Sequence, residues 1–210
     1  MLKPNSIPTK EPFLSVGIVL PEDKFSSIEI QLPGSPEYCL LSDGEQCTTL
    51  QPNAVVKFNL LNPSIEAIIN GVKYGQETIW KIDPLVKPVP IHNRAGIQVK
   101  NVIAGRGFHW KKNLDVFLSG SVEVRIAGSS LIMINELPIE QYLMCVATAE
   151  MGAACPPVLI ESQTIVARSW MLANVEMKHR MLGMDVCNDD CCQRYQGTTH
   201  LSDQSVKGAL

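Results

Sequence analysis

The chain has 210 residues, of which 45% are apolar and 19% charged, a balance that lets it bury a core without cross-links. Its formal net charge of −3 argues against a nucleic-acid binder, which carries a basic face or stripe. No run of 18 apolar residues occurs, so no helix is expected to span a membrane.

Residues 1 to 12 are polar and interrupted by proline, and read as a flexible leader with no signal peptide visible. Residues 13 to 130 read as a β-rich portion. Ile28, Ile30 and Leu32 alternate with Glu29 and Gln31, the period of a half-buried strand. Asn70-Gly71 between two apolar runs predicts a hairpin, because both residues accept the positive φ of a type I′ turn. The stretch from Asp83 to Pro90 holds three prolines, and reads as a linker or edge crossing. Val122, Val124 and Ile126 alternate with charged residues, Gly128-Ser129 turns the chain, and Leu131 to Ile134 is apolar on both faces, as a central strand is.

After Asn135 the period changes. Ile139, Tyr142, Leu143 and Val146 form a helical stripe, Pro138 suits the first turn and Gly152 the end. A second helix is expected from Pro156-Pro157 to about Lys178, and its apolar and small residues predict burial on most sides. The fold class is therefore α+β: a β-rich N-terminal portion followed by a helical segment.

Seven cysteines cannot all pair internally. Cys187, Cys191 and Cys192 fall within six residues, and His179 precedes them by eight. Three thiolates and an imidazole make a closed tetrahedral set, the usual form of structural zinc, against a Cys187–Cys192 disulfide or free thiols. The stretch from Gly183 to Gly197 has few apolar residues, so a metal is expected to order it. His92, His109 and His200 have no ligand spacing. Trp110 is read as buried, the alternative being a sugar-stacking face shared with His109. Glu150 closes the first predicted helix beside small residues, where burial against the helix dipole raises a carboxyl's proton affinity. The bland reading is a solvated turn residue. Arg168, in a small and apolar helix, needs an acceptor: Glu150 or a ligand, or else a structural ion pair with Glu136, Glu140 or Glu161.

The segment Ile134-Asn135-Glu136-Leu137-Pro138-Ile139-Glu140-Gln141-Tyr142-Leu143, followed by Ala149-Glu150-Met151, resembles the signature of the stage II sporulation protein D / LytB family. The likeness continues through Gln163 to Trp170, and through Asp185-Val186-Cys187 and Cys192-Gln193-Arg194-Tyr195-Gln196-Gly197. It implies a catalytic core over residues 131 to 210, with the family domain running on past Leu210. It further implies a lytic transglycosylase of the cell envelope, cutting peptide-stripped peptidoglycan glycan strands and forming 1,6-anhydro-muramic acid. Glu150 and Arg168 would be catalytic and Gln193 and Tyr195 substrate-binding, with zinc held by His179, Cys187, Cys191 and Cys192. Other members are described as amidase enhancers, so the alternative is a non-catalytic wall-binding module partnered by a cell-wall amidase. A third reading, a cytosolic zinc-stabilised β-domain, draws on the absent signal peptide.

Overall fold

The computed structural model describes residues 2–3, 6–87, 89–152, 154–173 and 177–209. In chain order the strands are β1 (Phe13–Val19), β2 (Ser27–Gln31), β3 (Tyr38–Ser42), β4 (Glu45–Leu50), β5 (Val55–Leu60), β6 (Ile65–Ile69) and β7 (Val72–Glu77). They continue with β8 (Ile79–Pro84), β9 (Ile97–Ala104), β10 (Lys112–Leu118), β11 (Ser121–Ala127), β12 (Ser130–Pro138) and β13 (Val186–Cys187). The helices are α1 (Ile139–Met151), α2 (Pro157–Ala173) and α3 (Asp203–Ala209). The arrangement is α+β, as the change of period after Asn135 predicts.

Two sheets hold the strands, one in the order β13-β1-β12-β11-β8-β3-β4 and the other β10-β9-β2-β5-β6-β7. Leu131 to Ile134 lie in β12, paired on both edges by β1 and β11, which is why both faces are apolar. In β2, Ile28 and Ile30 are buried while Glu29 is half-buried. Asn70 (φ 49°) and Gly71 (φ 82°) turn β6 into β7 as expected. The proline-rich stretch ends β8 and leads away from the sheet; its Pro88 lies outside the described residues.

α1 follows β12 with no loop. Pro138 stands at its N-cap, and the N–H groups of Ile139 and Glu140 donate to the Pro12 carbonyl (3.0 Å) and to Glu11 Oε1 (3.1 Å). The leader thus takes up two of the open donors of the helix start. Gly152 ends the helix at φ 85°. The helix's first half buries Ile139, Tyr142, Leu143 and Val146, the stripe read from the sequence, and burial extends to every residue from Tyr142 to Thr148.

α2 corrects the expected burial. Only Ile160, Thr164, Ala167 and Met171 are buried, a single i, i+4, i+7, i+11 stripe. Ile165 is 61% and Val166 63% exposed. The apolar composition of this helix covers more than one face, but α1 and α3 cover only one. The helix is described as far as Ala173; its expected extension crosses residues 174–176, which lie outside the described residues.

Among the described residues, no helix is long and apolar enough to cross a membrane.

Candidate functional site

Glu150 sits on the last turn of α1, half-buried. Its Oε2 accepts a hydrogen bond from Gln163 Nε2 of α2, and its Oε1 accepts one from the main-chain N–H of Arg194 (3.2 Å). Two neutral donors from two different elements therefore fix both oxygens. Gln163 is part of the segment that α2 presents toward α1; Arg194 follows Cys192 by two residues.

His179, Cys187, Cys191 and Cys192 come together. Their ligand atoms all lie within 4.8 Å of one another. Cys187 Sγ is 3.2 Å from Cys191 Sγ, and Cys191 Sγ is 3.8 Å from His179 Nε2. Tetrahedral zinc with bonds of about 2.0–2.3 Å has ligand–ligand edges of roughly 3.3–3.8 Å, so this donor set fits with small adjustments. No disulfide joins any of the seven cysteines. The thiols cannot all ionise unaided. Hydrogen bonding to Cys192, then burial, pushes Cys187 up to about 12; burial pushes Cys191 up to about 11. The bond from Cys187 holds Cys192 below the usual thiol range, and the same cysteine's hydrogen bond raises the His179 imidazole. A divalent cation at the centre would relieve this mutual repulsion by displacing the protons.

The cluster's backbone is anchored from the β side. Asp189 accepts from the main-chain N–H groups of Gly105 (2.9 Å) and Arg106 (2.6 Å). The Arg106 guanidinium grips Asp23 with two bonds of 2.6 Å, and also reaches Asn188 Oδ1 (2.7 Å) and the Ile18 carbonyl (3.1 Å). Its side chain is 11% exposed and that of Asp23 only 2%. Asp185 Oδ2 accepts from Ser15 N (2.9 Å), and β13 pairs with β1. Most residues from Met184 to Thr199 are buried or half-buried. These polar contacts support the stretch from the β side in addition to any metal, and an apolar count does not register them. Arg106→Lys keeps the charge and loses the fork. It is expected to lower unfolding stability by about 2–3 kcal/mol in urea titrations, through lost hydrogen bonds to buried charges. A shift below about 0.5 kcal/mol would show that the clasp contributes little.

Arg168 does not face Glu150. Its Nε and Nη2 pair with Glu140 Oε1 (3.0 Å) and Oε2 (2.5 Å), and Nη2 also donates to the Ala209 carbonyl (3.0 Å). Of the two readings of this arginine, the ion pair with Glu140 is the one observed. Five residues on from Gln163, Arg168 is turned about 140° around α2. Gln163 and Arg168 thus stand on opposite margins of the buried stripe. Glu140–Arg168 ties the start of α1 to α2, and Glu150–Gln163 ties its end.

Tyr195 lies in the core, 1% exposed, its ring stacked on Tyr142 (5.1 Å, 21°) and its hydroxyl donating to Asn135 Oδ1 (2.7 Å). Burial raises the phenols of both tyrosines well above their usual range. Gln193 is also buried, with Nε2 donating to the Ala167 carbonyl (3.3 Å) and Oε1 unpartnered. Asn135, to which sequence reasoning gave no role, is fully buried. Its Nδ2 donates to the carbonyls of Ser119 (2.8 Å) and Ser121 (2.9 Å), so every polar group of its side chain is used. Gly197 has φ 56°, and a Cβ there would lie 1.9 Å from the Phe117 carbonyl oxygen, so only glycine lets this loop meet β10.

His92, His109 and His200 are all exposed. Trp110 is half-buried rather than buried, and Phe108 beside it is 46% exposed.

An α+β fold in which a strand of the INELP type runs straight into the helix bearing Glu150, with a Cys/His cluster beside it, is the arrangement the sequence likeness implies. Residues 127–209 match the family described as SpoIID: Stage II sporulation protein, and the matched segment carries Glu150, Arg168, Gln193, Tyr195 and the Cys/His cluster. No curated protein and no solved structure matches the chain.

Proposed function

We propose that the protein cleaves peptide-stripped peptidoglycan glycan strands in the cell envelope as a lytic transglycosylase, with Glu150 as the acid and then the base. The observation that carries this reading is the two-point hold on the Glu150 carboxylate by Gln163 and Arg194 at a half-exposed helix end. A proton donor must stand in a fixed place before its chemistry counts.

Protonated Glu150 gives its proton to the glycosidic oxygen as the bond from C1 of muramic acid breaks. An oxocarbenium-like state develops at C1. The C6 hydroxyl of the same sugar then attacks C1, and the Glu150 carboxylate takes its proton, closing the 1,6-anhydro ring. Water takes no part, so a second carboxylate at glycosidase spacing is not required. Gln163 and the Arg194 N–H orient the acid. Arg168 is a positioning residue: by locking α1 to α2 at the far end, it fixes the helix pair that brings Glu150 to Gln163. Gln193 and Tyr195, carried from the likeness as substrate-binding, act through the packing of the loop that delivers the Arg194 N–H. His179, Cys187, Cys191 and Cys192 would hold zinc, whose four protein ligands give it a structural role.

The second reading is a non-catalytic wall-binding module that stimulates a cell-wall amidase. It draws on the placement of Arg168, occupied by Glu140 and turned away from the acid. Incubation with amidase-treated glycan strands, together with an amidase assay on peptidoglycan that still carries its stem peptides, separates the two. Release of 1,6-anhydro-muramic acid ends supports cleavage; intact strands together with a faster amidase reaction support the module.

A further inference from the structure

The geometry points to a glycan-binding platform formed by Phe108 and Trp110, in the loop between β9 and β10, that takes a sugar ring of the strand engaged by Glu150. This rests on the glycan-cleaving reading and extends it to residues outside the matched segment 127–209.

Three observations carry it. The first is exposure: Phe108 and Trp110 stack at 5.8 Å with 20° between their planes, and Phe108 is 46% open to solvent. A stacked aromatic pair left wet on a loop is a costly feature for a fold to keep without a ligand. The second is rigidity. Gly105 (φ 74°) lies so close under the indole that a Cβ would come within 2.6 Å of its ring carbons. The Arg194 guanidinium sits 4.8 Å from the indole centroid, itself held by Asp190 at 3.1 and 3.3 Å. The loop's backbone is pinned by Asp189 through Gly105 and Arg106. The platform is therefore built before any ligand arrives, which spares the ordering cost of binding.

The third observation supplies the occupant. Arg194 joins the two places: its main-chain N–H holds Glu150 while its side chain covers Trp110. A strand lying across Glu150 passes one arginine side chain away from the aromatic pair. The apolar C–H face of a pyranose matches the open face of Phe108, and its edge hydroxyls and N-acetyl groups stay in water or meet the rim. The class of ligand is thus an N-acetylhexosamine of the same strand, in a subsite next to the cleaved bond.

The test is the affinity for peptide-free peptidoglycan glycan strands, measured on Glu150→Gln protein so that the strand is not consumed. Adding Phe108→Ala is expected to weaken binding about fivefold or more, with unchanged circular dichroism and melting temperature. Trp110→Phe keeps a stacking face and is expected to weaken it less. Tyr74→Ala, at an exposed aromatic on β7, the edge strand opposite β10 in the same sheet, is the control and should leave affinity unchanged. Equal affinity with and without Phe108, or equal loss on Tyr74→Ala, overturns the platform. If unaltered protein binds strands through Phe108 yet releases no anhydro products, the cleavage reading fails and the platform stands. If no strand binds at all, both fail.

Discussion

Glu150→Gln is expected to reduce release of anhydro-muramic acid ends by about 10²–10⁴-fold, the usual worth of general acid–base assistance. The amide has the carboxyl's shape and cannot deliver a proton. Its effect on the fold should be small, for a reason visible in the partners. Glu150 accepts from Gln163 Nε2 and from the Arg194 N–H. A glutamine at 150 can keep its oxygen toward the Arg194 N–H and turn its NH₂ toward Gln163, whose own amide can flip to present an oxygen. Unfolding stability should therefore change by less than about 1 kcal/mol. Loss of activity with stability retained separates the proton from the packing. Wild-type release of anhydro ends by this variant would remove Glu150 from the acid role. The companion variant Gln163→Leu keeps the carboxyl and takes away one of its two supports, so it should fall between the two, with turnover reduced and not abolished.

The parts of this fold legible in the sequence are those set by local rules. Asn70-Gly71 dictates its turn through positive φ, and the double-faced apolar run from Leu131 to Ile134 must be a strand with neighbours on both sides. The stripe of Ile139, Tyr142, Leu143 and Val146 and the stop at Gly152 delimit α1. What was not legible depends on partners far along the chain. An apolar helix does not say how many neighbours it will meet, and α2 meets too few to cover Ile165 and Val166. Arg168 has an acceptor at Glu140, 28 residues earlier, and nothing in the spacing ranks that carboxylate above Glu150, 18 residues earlier. Arg106 and Asp23, which clasp the Cys/His loop from the β side, are 83 residues apart and sit in no motif. The tyrosine in the Gln-Arg-Tyr-Gln-Gly stretch reads as a ligand-facing residue, yet its ring completes the core against Tyr142. Asn135 shows the converse: a polar residue within an apolar strand, retained because three buried groups depend on it.

Removal of metal is expected to lower the melting temperature by on the order of 10 °C and to loosen the Cys/His loop unevenly. A ligand present at about a thousand times its dissociation constant stabilises the folded state by roughly 4 kcal/mol. In a chain of this length each kcal/mol moves the midpoint by about 2–4 °C. The unevenness follows from where the loop has other support. Cys187 lies in β13 against β1, and Asn188 and Asp189 are held by Arg106 and the loop before β10. His179, Cys191 and Cys192 have fewer such ties, and Cys191 is exposed. Hydrogen exchange after chelation should therefore rise first around His179 and at Cys191 to Gln193, while the amides of β13 stay protected. Because Arg194 follows directly, its N–H should lose its hold on Glu150, and cleavage should fall along with the metal content. Cys187→Ser should reproduce the lost melting temperature, since a hydroxyl is a poor zinc ligand. The protein purified without chelator should contain close to one equivalent of zinc. Less than about a tenth of an equivalent of any transition metal, with the thiols of Cys187, Cys191 and Cys192 all titratable, would leave four polar side chains packed together without a cation, and the loop would then owe its order to the Arg106 clasp, the β13–β1 pairing and its other protein contacts.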